Sequence, residues 1–465
     1  MTQTTLMDDV PLNRFHLKIT GLTFGAHLTD GYILGSVGFA LTQMTPQMAL
    51  TPFWQGMIGS SALLGLFLGS LILGWIADTV GRQKIFCFSF ILITLASGMQ
   101  FFVESAEQLF LLRMLIGFGL GGDFAVGHTI LAEFAPRKHR GVLLGAFSVL
   151  WTVGYVAASF VGHLALQTDA EGWRWLLASS ALPAFAILLL RIGTPESPRW
   201  LLRRGRRDEA VKIVHRLFGP NVTLQEERQQ TQDGSLSALF RPRYRRRTAF
   251  NCLFFVCLVI PYFAIYTFLP AILRQMGLDQ GFATDLLLSG LLLVGAVLGI
   301  VLTALCSRRG FLIGSFVFLA ACLLLLSLLH NSAGIWLIVL FAAFTLVMSA
   351  VSNLVGVFPA ESFPTDVRSR GVGFATSMSR LGSAIGTLLL PLAIVNYGIA
   401  GTMALLAAIL ALGALVSIAW APETKGLTLT DASQETPAAE PTLNPPPFNF
   451  NATSVTRGND GNVYR

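Results

Sequence analysis

Apolar residues in this chain are gathered into twelve long runs that are separated by shorter polar stretches. Each run holds about 20 residues, the length that an α-helix needs to cross the hydrocarbon core of a bilayer. The predicted spans cover residues 19–42, 55–77, 84–103, 108–130, 142–164, 172–192, 248–272, 284–306, 310–329, 334–357, 371–394 and 400–420. The pattern therefore predicts an all-α membrane protein with twelve transmembrane helices.

Two longer polar segments divide the chain. Residues 193–247 separate the first six spans from the last six, and apolar positions at helical spacing between Leu201 and Leu217 predict short cytoplasmic helices there. The tail contains Pro445-Pro446-Pro447 and few residues to bury, so we expect it to be disordered. The expected domains are an N-terminal six-helix bundle (1–192), a linker (193–247), a C-terminal six-helix bundle (248–420) and a cytoplasmic tail (421–465).

Composition and charge agree with a membrane protein. Hydrophobic residues make up 53% of the chain and charged residues only 12%, whereas soluble domains carry about 25% charged residues. Lys and Arg concentrate in the loops of one side, so the positive-inside rule places both termini and the linker in the cytoplasm. The net charge of +7 follows from this loop placement, and no nucleic-acid partner is expected. The five cysteines fall in or beside apolar runs, so they indicate neither a disulfide framework nor a metal cluster.

Three short patterns occur once in each half of the chain, about 228 residues apart. Glu133-Phe-Ala-Pro136 is repeated as Glu361-Ser-Phe-Pro364, and Pro195-Glu196-Ser197 is repeated as Pro422-Glu423-Thr424. The loop from Asp78 to Arg82 has a shorter counterpart at 307–310, in which Ser307 takes the position of Asp78. Two parallel repeats of six spans predict a pseudo-two-fold axis along the membrane normal, with a binding site between the halves.

These motifs, in this order, resemble the signatures of the major facilitator superfamily, in particular its sugar-porter and metabolite:proton symporter branches. The resemblance covers residues 15–426 and includes Gly74–Lys84, Arg113 with Gly117–Gly122, Pro195–Arg199 and Pro422–Gly426. It implies two six-helix bundles that rock about a central site to give alternating access.

The cytoplasmic loops supply candidates for gating. Asp78 ends span 2 on the side where span 11 begins near Gly371, and a carboxylate at a helix N-terminus is stabilised by the helix dipole. We expect this contact, with Arg82 near Glu133 or Glu361, to hold the cytoplasmic side shut. The full set of gating candidates is Asp78, Gly81, Arg82, Asp123, Glu133, Arg140, Glu196, Glu361, Arg370 and Glu423.

Buried charges in the first half suggest proton coupling. Asp30 lies near the membrane midplane with His27 one helical turn below, and a charge at this depth marks a functional site by default. Sugar porters that resemble this chain carry an aspartate at the position of Ile33, facing the arginine of span 4. We expect Asp30 to carry the proton with Arg113 holding its charged form, although a fixed structural ion pair is the alternative. His27 either shares the proton or only hydrogen-bonds within the bundle, and Asp123 is expected to pair with His128 or His27.

Arg380 in span 11 is the main candidate for substrate binding. Its guanidinium matches a carboxylate bidentately, and organic-anion carriers of the resembling superfamily place an arginine in this span. Pairing with Asp30 or with a backbone carbonyl is the alternative. Further candidates for the cavity wall are Tyr32, Trp151, Tyr155, Asn251, Tyr262, Tyr266 and Asn353, and a kink is expected between Pro261 and Pro270 in span 7.

The sequence thus predicts a secondary active transporter rather than an enzyme, with no cofactor. The favoured function is proton symport of a small carboxylate-bearing metabolite by a monomer in the lipid bilayer of the cell inner membrane. The alternatives are a sugar or polyol:proton symporter, an efflux carrier, and a non-transporting receptor with a transporter fold.

Overall fold

The computed structural model describes residues 5–136, 138–168, 171–223, 236–242, 244–277, 282–329, 334–363 and 367–423. The expected disorder of the tail falls almost entirely outside these residues. The helices of the first half are α1 (Arg14–Gln47), α2 (Pro52–Val80), α3 (Arg82–Met99), α4 (Ala106–Phe134), α5 (Arg140–Thr168), α6 (Gly172–Ser179) and α7 (Ala181–Arg191). The linker forms α8 (Pro198–Arg203) and α9 (Arg207–Phe218). The second half holds α10 (Arg245–Thr267), α11 (Leu269–Gln275), α12 (Phe282–Leu305), α13 (Arg308–Leu328), α14 (Gly334–Val351), α15 (Leu354–Ser362) and α16 (Arg368–Trp420).

The predicted spans correspond to these helices. Ten helical segments in the described part of the chain are long and apolar enough to cross a membrane. The last of them runs from Arg370 to Trp420 and is broken by Gly398, whose φ of 68° is not helical, so it supplies two spans. The 34-residue helix α1 is the remaining predicted span, less apolar than the others because it carries polar groups such as His27 and Asp30.

Local sequence explains where the helices begin and break. Ser105 caps α4 by accepting a hydrogen bond from the backbone of Gln108, and Ser307 caps α13 in the same way. The expected kink in span 7 is confirmed, because α10 ends at Thr267, three residues before Pro270, and α11 begins at Leu269. A second break, between α14 and α15 at Ser352 and Asn353, was not expected from the sequence.

A short N-terminal segment packs against the linker. Strand β1 (Thr5–Leu6) pairs in parallel with β2 (Val222–Thr223), and Met7 is buried in an apolar cluster that includes Val214 of α9. His16 stacks on Phe218 at the end of α9, with ring centroids 5.0 Å apart. The linker is therefore attached to the start of α1, and it contains the short helices α8 and α9.

Helix packing brings the two halves together along two seams. Within the first half, α1 packs on α5 and α2 packs on α4; within the second, α10 and α13 pack on α16. The seams between the halves are formed by α2 with α16 and by α5 with α12. We call the end that carries the α2–α3 loop, α8 and α9 the basic face, and the end that carries the α1–α2 loop the opposite face.

Candidate functional site

Asp30 is buried in the first half at the contact of α1 with α5. Its side chain is only 3% exposed, and its Oδ1 atom has no hydrogen-bond partner. The next residue, Gly31, allows the close approach of the two helices, since a Cβ there would lie within bonding distance of the carbonyl oxygen of Trp151. The charged groups that act on Asp30 are Asp123, Arg191 and Arg380. Among the described residues, this buried carboxyl group thus forms no ion pair and no side-chain hydrogen bond.

Arg113 does not pair with Asp30, contrary to one of our expectations. Its Nη2 donates a hydrogen bond of 3.5 Å to the carbonyl oxygen of Ile33, and its Nε has no partner. The reason lies in the position of the acid: Asp30 is three residues before Ile33, about 4.5 Å further along the helix. Arg113 therefore contacts the position of Ile33, where the sugar porters that resemble this chain carry an aspartate. Here its partner at that position is the backbone carbonyl oxygen of Ile33.

Asp123 forms an ion pair that the sequence analysis missed. Its Oδ1 lies 2.5 Å from Nη1 of Arg191 at the end of α7, and both side chains are fully buried. The Arg191 guanidinium also stacks over the rings of Phe86 and Phe90, at 3.4 and 4.0 Å from their centroids. The expected pairing of Asp123 with His27 or His128 is therefore wrong. Arg191 lies at the end of the predicted span 172–192, so counting 1.5 Å per residue along spans 4 and 6 could have placed it and Asp123 in the same half of the membrane.

Two histidines and two phenylalanines form an aromatic cluster one turn from Asp30. The ring of His27 stacks on Phe147 with centroids 3.9 Å apart and meets His128 edge-on at 4.9 Å. Phe124 lies 4.4 Å from His128. His27 is buried and His128 is half-buried, so the cluster extends from the packed interior toward a more open region.

Arg380 lies between the two halves, above this cluster. Its guanidinium carbon is 5.1 Å from the ring centroid of Phe124 on α4 and 5.8 Å from that of Phe263 on α10. Among the described residues it forms no ion pair, and its Nε is buried without a hydrogen-bond partner. The side chain as a whole remains half-buried. The structure thus presents an arginine with aromatic contacts from both halves and unused hydrogen-bond donors.

The aromatic candidates form the wall beside Arg380. Trp151 stacks with Tyr155 and contacts Tyr262 and Phe263, with centroid distances of 6.0 to 6.2 Å. The Tyr155 hydroxyl donates a 2.8 Å hydrogen bond to the carbonyl oxygen of Tyr266, which joins the halves.

The other three cavity candidates are bound elsewhere. The hydroxyl of Tyr32 shares a 2.5 Å hydrogen bond with Ser179. Asn251 donates to Ser362 near the basic face. Asn353 accepts from Ser148 at 2.9 Å and donates to the carbonyl oxygen of Ala296 at 3.0 Å, so it bridges α5 and α12 at the break in span 10. The Tyr32 hydroxyl, the Asn353 amide and the amide nitrogen of Asn251 are thus already used in hydrogen bonds, whereas the Asn251 oxygen is buried without a partner.

The gating candidates of the first half form one network on the basic face. Arg82 pairs with Glu133, whose other oxygen accepts a 2.5 Å hydrogen bond from Ser197. Glu196 accepts from the backbone nitrogens of Arg82 and Gln83, at 3.1 and 3.2 Å, and lies against Gly81. The α2–α3 loop is thereby attached to the segment before α8.

The second half repeats the same network. Arg308 lies 3.4 Å from Glu361, and Glu423 accepts from the backbone nitrogens of Arg308 and Arg309. Arg308 therefore corresponds to Arg82, and Ser307 corresponds to Gly81. The expectation that Ser307 takes the position of Asp78 is wrong. The repeat itself is confirmed at the level of individual hydrogen bonds.

The expected contact of Asp78 with span 11 is absent from the described residues. The Asp78 side chain is 72% exposed and its one ion pair is with Arg82, at 3.8 Å on the same loop. Arg370 lies half-buried in the first turn of α16, and the side chain of Arg140 is outside the described part of the structure. The loop of Asp78 is thus held to its own half and to the linker.

On the opposite face the two halves approach closely. A Cβ added at Gly56 on α2 would lie 2.2 Å from the carbonyl oxygen of Leu388 on α16. His163 on α5 and Asp285 on α12, which the sequence analysis did not single out, lie 4.0 Å apart across the other seam. The two halves are therefore in contact along both seams at the opposite face, whereas the side chain of Asp78 at the basic face has no ion pair with the second half among the described residues.

Comparison with known proteins agrees with this architecture. The family model described as "Sugar (and other) transporter" matches residues 29–435. The inner membrane metabolite transport protein YgcS of Escherichia coli K12 is 61% identical, over 93% of this chain and 97% of that protein. The niacin transporter NiaP of Acinetobacter baylyi is 24% identical, over 91% and 98%. The partially occluded inward-open structure of the xylose transporter XylE from E. coli superposes with a TM-score of 0.75 at 19% identity, over 90% of this chain and 100% of that one. The chain belongs to the sugar (and other) transporter family and has the twelve-helix fold of the major facilitator superfamily.

Proposed function

We propose that this transporter carries a small carboxylate-bearing metabolite together with a proton. The observation that carries the proposal is Arg380: a half-buried guanidinium between Phe124 and Phe263, with no ion pair among the described residues and with a buried Nε that has no partner. An unpaired arginine inside a membrane protein is costly. A carboxylate between the halves would accept two parallel hydrogen bonds from it and remove that cost.

Aromatic contacts favour an acid with a flat or apolar body. Trp151, Tyr262 and Phe263 surround the approach to Arg380, and their faces suit a ring that is anchored by its carboxylate. The niacin transporter among the relatives is named for such an acid, and this likeness supports the substrate class.

Proton coupling is assigned to Asp30. Its carboxyl is buried with an unpartnered oxygen, and the positive charges that act on it belong to Arg191 and Arg380. A substrate carboxylate bound to Arg380 would compete for one of these charges and so favour the protonated form of Asp30. Binding of the anion and of the proton would therefore promote each other.

The placement in the cell follows from the same reasoning. The name of the relative YgcS supports the inner membrane, and the basic loops support cytoplasmic termini. We assign the basic face to the cytoplasm and the opposite face to the outside, and treat the monomer as the transporting unit.

A thermal-shift assay on purified protein tests the substrate class. We expect nicotinate and benzoate, but not xylose, to raise the unfolding temperature. The shift should disappear in Arg380→Ala and be reduced in Arg380→Lys, since lysine keeps the charge but not the planar pair of donors. Stabilisation by xylose alone, undiminished in Arg380→Ala, would instead establish the second candidate, a sugar symporter, which the family description and the XylE fold favour.

Uptake into proteoliposomes tests the coupling and the remaining alternatives. With an inward proton gradient we expect accumulation of the stabilising solute by wild type, and only gradient-independent exchange by Asp30→Asn. Outward movement driven by the gradient would indicate efflux, and binding without any transport would indicate a receptor. Accumulation by Asp30→Asn that still followed the pH gradient would remove Asp30 from the coupling mechanism.

A further inference from the structure

Two imidazole rings lie in contact inside the membrane, next to the proposed proton carrier. His27 on α1 and His128 on α4 have ring centroids 4.9 Å apart, and both rings pack on Phe147 at 3.9 and 4.4 Å. Histidine is the side chain best suited to exchange protons near neutral pH. Apolar rings would fill the same space, so the presence of two histidines in contact suggests a chemical role for this pair.

Hydrogen bonds fix the tautomer of both rings. Nδ1 of His27 lies 3.0 Å from the carbonyl oxygen of Thr23, and Nδ1 of His128 lies 2.9 Å from that of Phe124. A carbonyl oxygen only accepts, so Nδ1 must carry the hydrogen in each ring. In the neutral rings both Nε2 atoms therefore hold a free electron pair, and that of His27 is buried without a partner.

Asp30 lies one turn from His27 on the same helix, and its Oδ1, like Nε2 of His27, is buried without a hydrogen-bond partner. Asp30 and His27 are three residues apart on α1, so their Cβ atoms are about 5–6 Å apart on one face. Both side chains are 3% exposed, whereas His128 is half-buried. The order Asp30, His27, His128 thus leads from the sealed interior toward solvent on the basic side.

The surrounding charges suit transient rather than permanent protonation of the histidines. His27 is acted on by Arg191 and Arg380; His128 is acted on by His27, Asp123 and Arg380. Asp30 is acted on by Arg191, Arg380 and Asp123. The two arginines stabilise the carboxylate that remains when a proton leaves Asp30, and they disfavour an imidazolium that would retain it.

We propose that His27 and His128 form a relay that takes the proton from Asp30 to the basic side. The relay rests on the proposed function of Asp30. The O–H bond of protonated Asp30 breaks as an N–H bond forms at Nε2 of His27. That N–H bond then breaks as one forms at Nε2 of His128, which releases the proton to water. Each ring returns to its Nδ1–H tautomer, and no proton is consumed.

Infrared spectroscopy tests the relay without a substrate. The carbonyl band of protonated Asp30 is identified in the full-length purified protein by its loss in Asp30→Asn. Its shift after rapid transfer into D₂O gives the rate at which that carboxyl exchanges its proton. We expect His27→Phe and His128→Phe, which keep an aromatic ring but lack Nε2, to slow this exchange at least tenfold. His215→Phe, on the exposed surface of α9, is the matched control and should exchange at the wild-type rate.

The outcomes separate the relay from the function on which it rests. If the Asp30 band is absent at every pH, Asp30 is not a carrier and both proposals fail. If the band is present but the half-buried His128→Phe exchanges as fast as wild type, the relay alone is wrong. A ¹⁵N spectrum that shows hydrogen on Nε2 rather than Nδ1 in neutral His27 and His128 would likewise overturn the relay.

Discussion

The fully buried pair of Asp123 and Arg191 allows a quantitative test of how charge is tolerated inside this bundle. We consider three variants: Asp123→Leu, Arg191→Met, and the double variant that combines these two substitutions. Methionine matches the length of the arginine stem and retains favourable sulfur contacts with Phe86 and Phe90. The variants therefore remove charge while keeping most of the packing.

The magnitude follows from the geometry of the pair. At 2.5 Å and an effective dielectric constant of about 20, the attraction amounts to roughly 7 kcal/mol. Most of this offsets the cost of taking both charges out of water, so replacement of the whole pair by apolar residues should be close to neutral. Removal of one partner should cost about 3–5 kcal/mol, because the other charge stays buried alone.

The two single variants should differ in magnitude. In Asp123→Leu the arginine keeps its hydrogen bond to the Phe86 carbonyl oxygen and its two ring contacts, so the loss of stability should lie near the lower limit. In Arg191→Met the carboxylate of Asp123 loses its ion pair and stays fully buried, so the loss of stability should lie near the upper limit.

Chemical unfolding in mixed micelles, followed by tryptophan fluorescence, measures these free energies. A double-mutant cycle should give a coupling energy of at least about 3 kcal/mol. If the double variant were as unstable as the two single losses added together, the cost would not arise from an unpaired charge. That result would refute the reasoning.

Three further predictions concern the conformational equilibrium and the N-terminal segment. Gly56→Ala places a Cβ against the Leu388 carbonyl oxygen, which must move away by roughly 1 Å to reach ordinary contact. Distances between spin labels across the opposite face should therefore increase. Gly314→Ala is the control, because a Cβ there meets nothing within 4 Å, and it should leave these distances unchanged. Asp285→Asn removes the carboxylate opposite His163 and should also increase these distances, whereas Asp285→Glu, which keeps a carboxylate, should not. An equal effect of both variants would contradict a role of the carboxylate in holding this face together. Burial lowers the pKa of His16, which lies outside the membrane, so this ring binds fewer protons in the folded state than in the unfolded state. The stability that it contributes to the N-terminal segment is therefore lost as the pH falls below about 6.5. Hydrogen exchange at Met7 should accordingly rise at pH 5.5 relative to pH 7.5, after correction for intrinsic rates, and the difference should vanish in His16→Phe.

Much of the architecture can be predicted from the sequence, because few backbone conformations are stable inside a bilayer. Every backbone polar group must be bonded within its own segment, so an apolar run of about 20 residues is a helix. Proline and capping residues act locally, and the break before Pro270 follows from them. The internal repeat of the sequence also corresponds to a repeat of ion pairs. Glu133 pairs with Arg82 at the start of α3, and Glu361 pairs with Arg308 at the start of α13. Membership of the transporter family is encoded at the same level.

The partners of the buried charges are decided by the tertiary structure. Sequence gives the depth of a residue along its helix, but the rotation of the helix and the identity of its neighbours come from packing. For this reason Arg113 reaches the carbonyl of Ile33 rather than Asp30, and Asp123 meets Arg191 rather than a histidine. Likewise, Asn353 forms hydrogen bonds that join α5 and α12, and it lies at a helix break, Ser352 and Asn353, that contains neither proline nor glycine. The spans, their repeat and the presence of Asp30 and Arg380 can be predicted from the sequence, because they depend on composition and spacing along a segment. The lack of an ion pair for either side chain among the described residues follows from helix packing, which sets the neighbours of each buried charge.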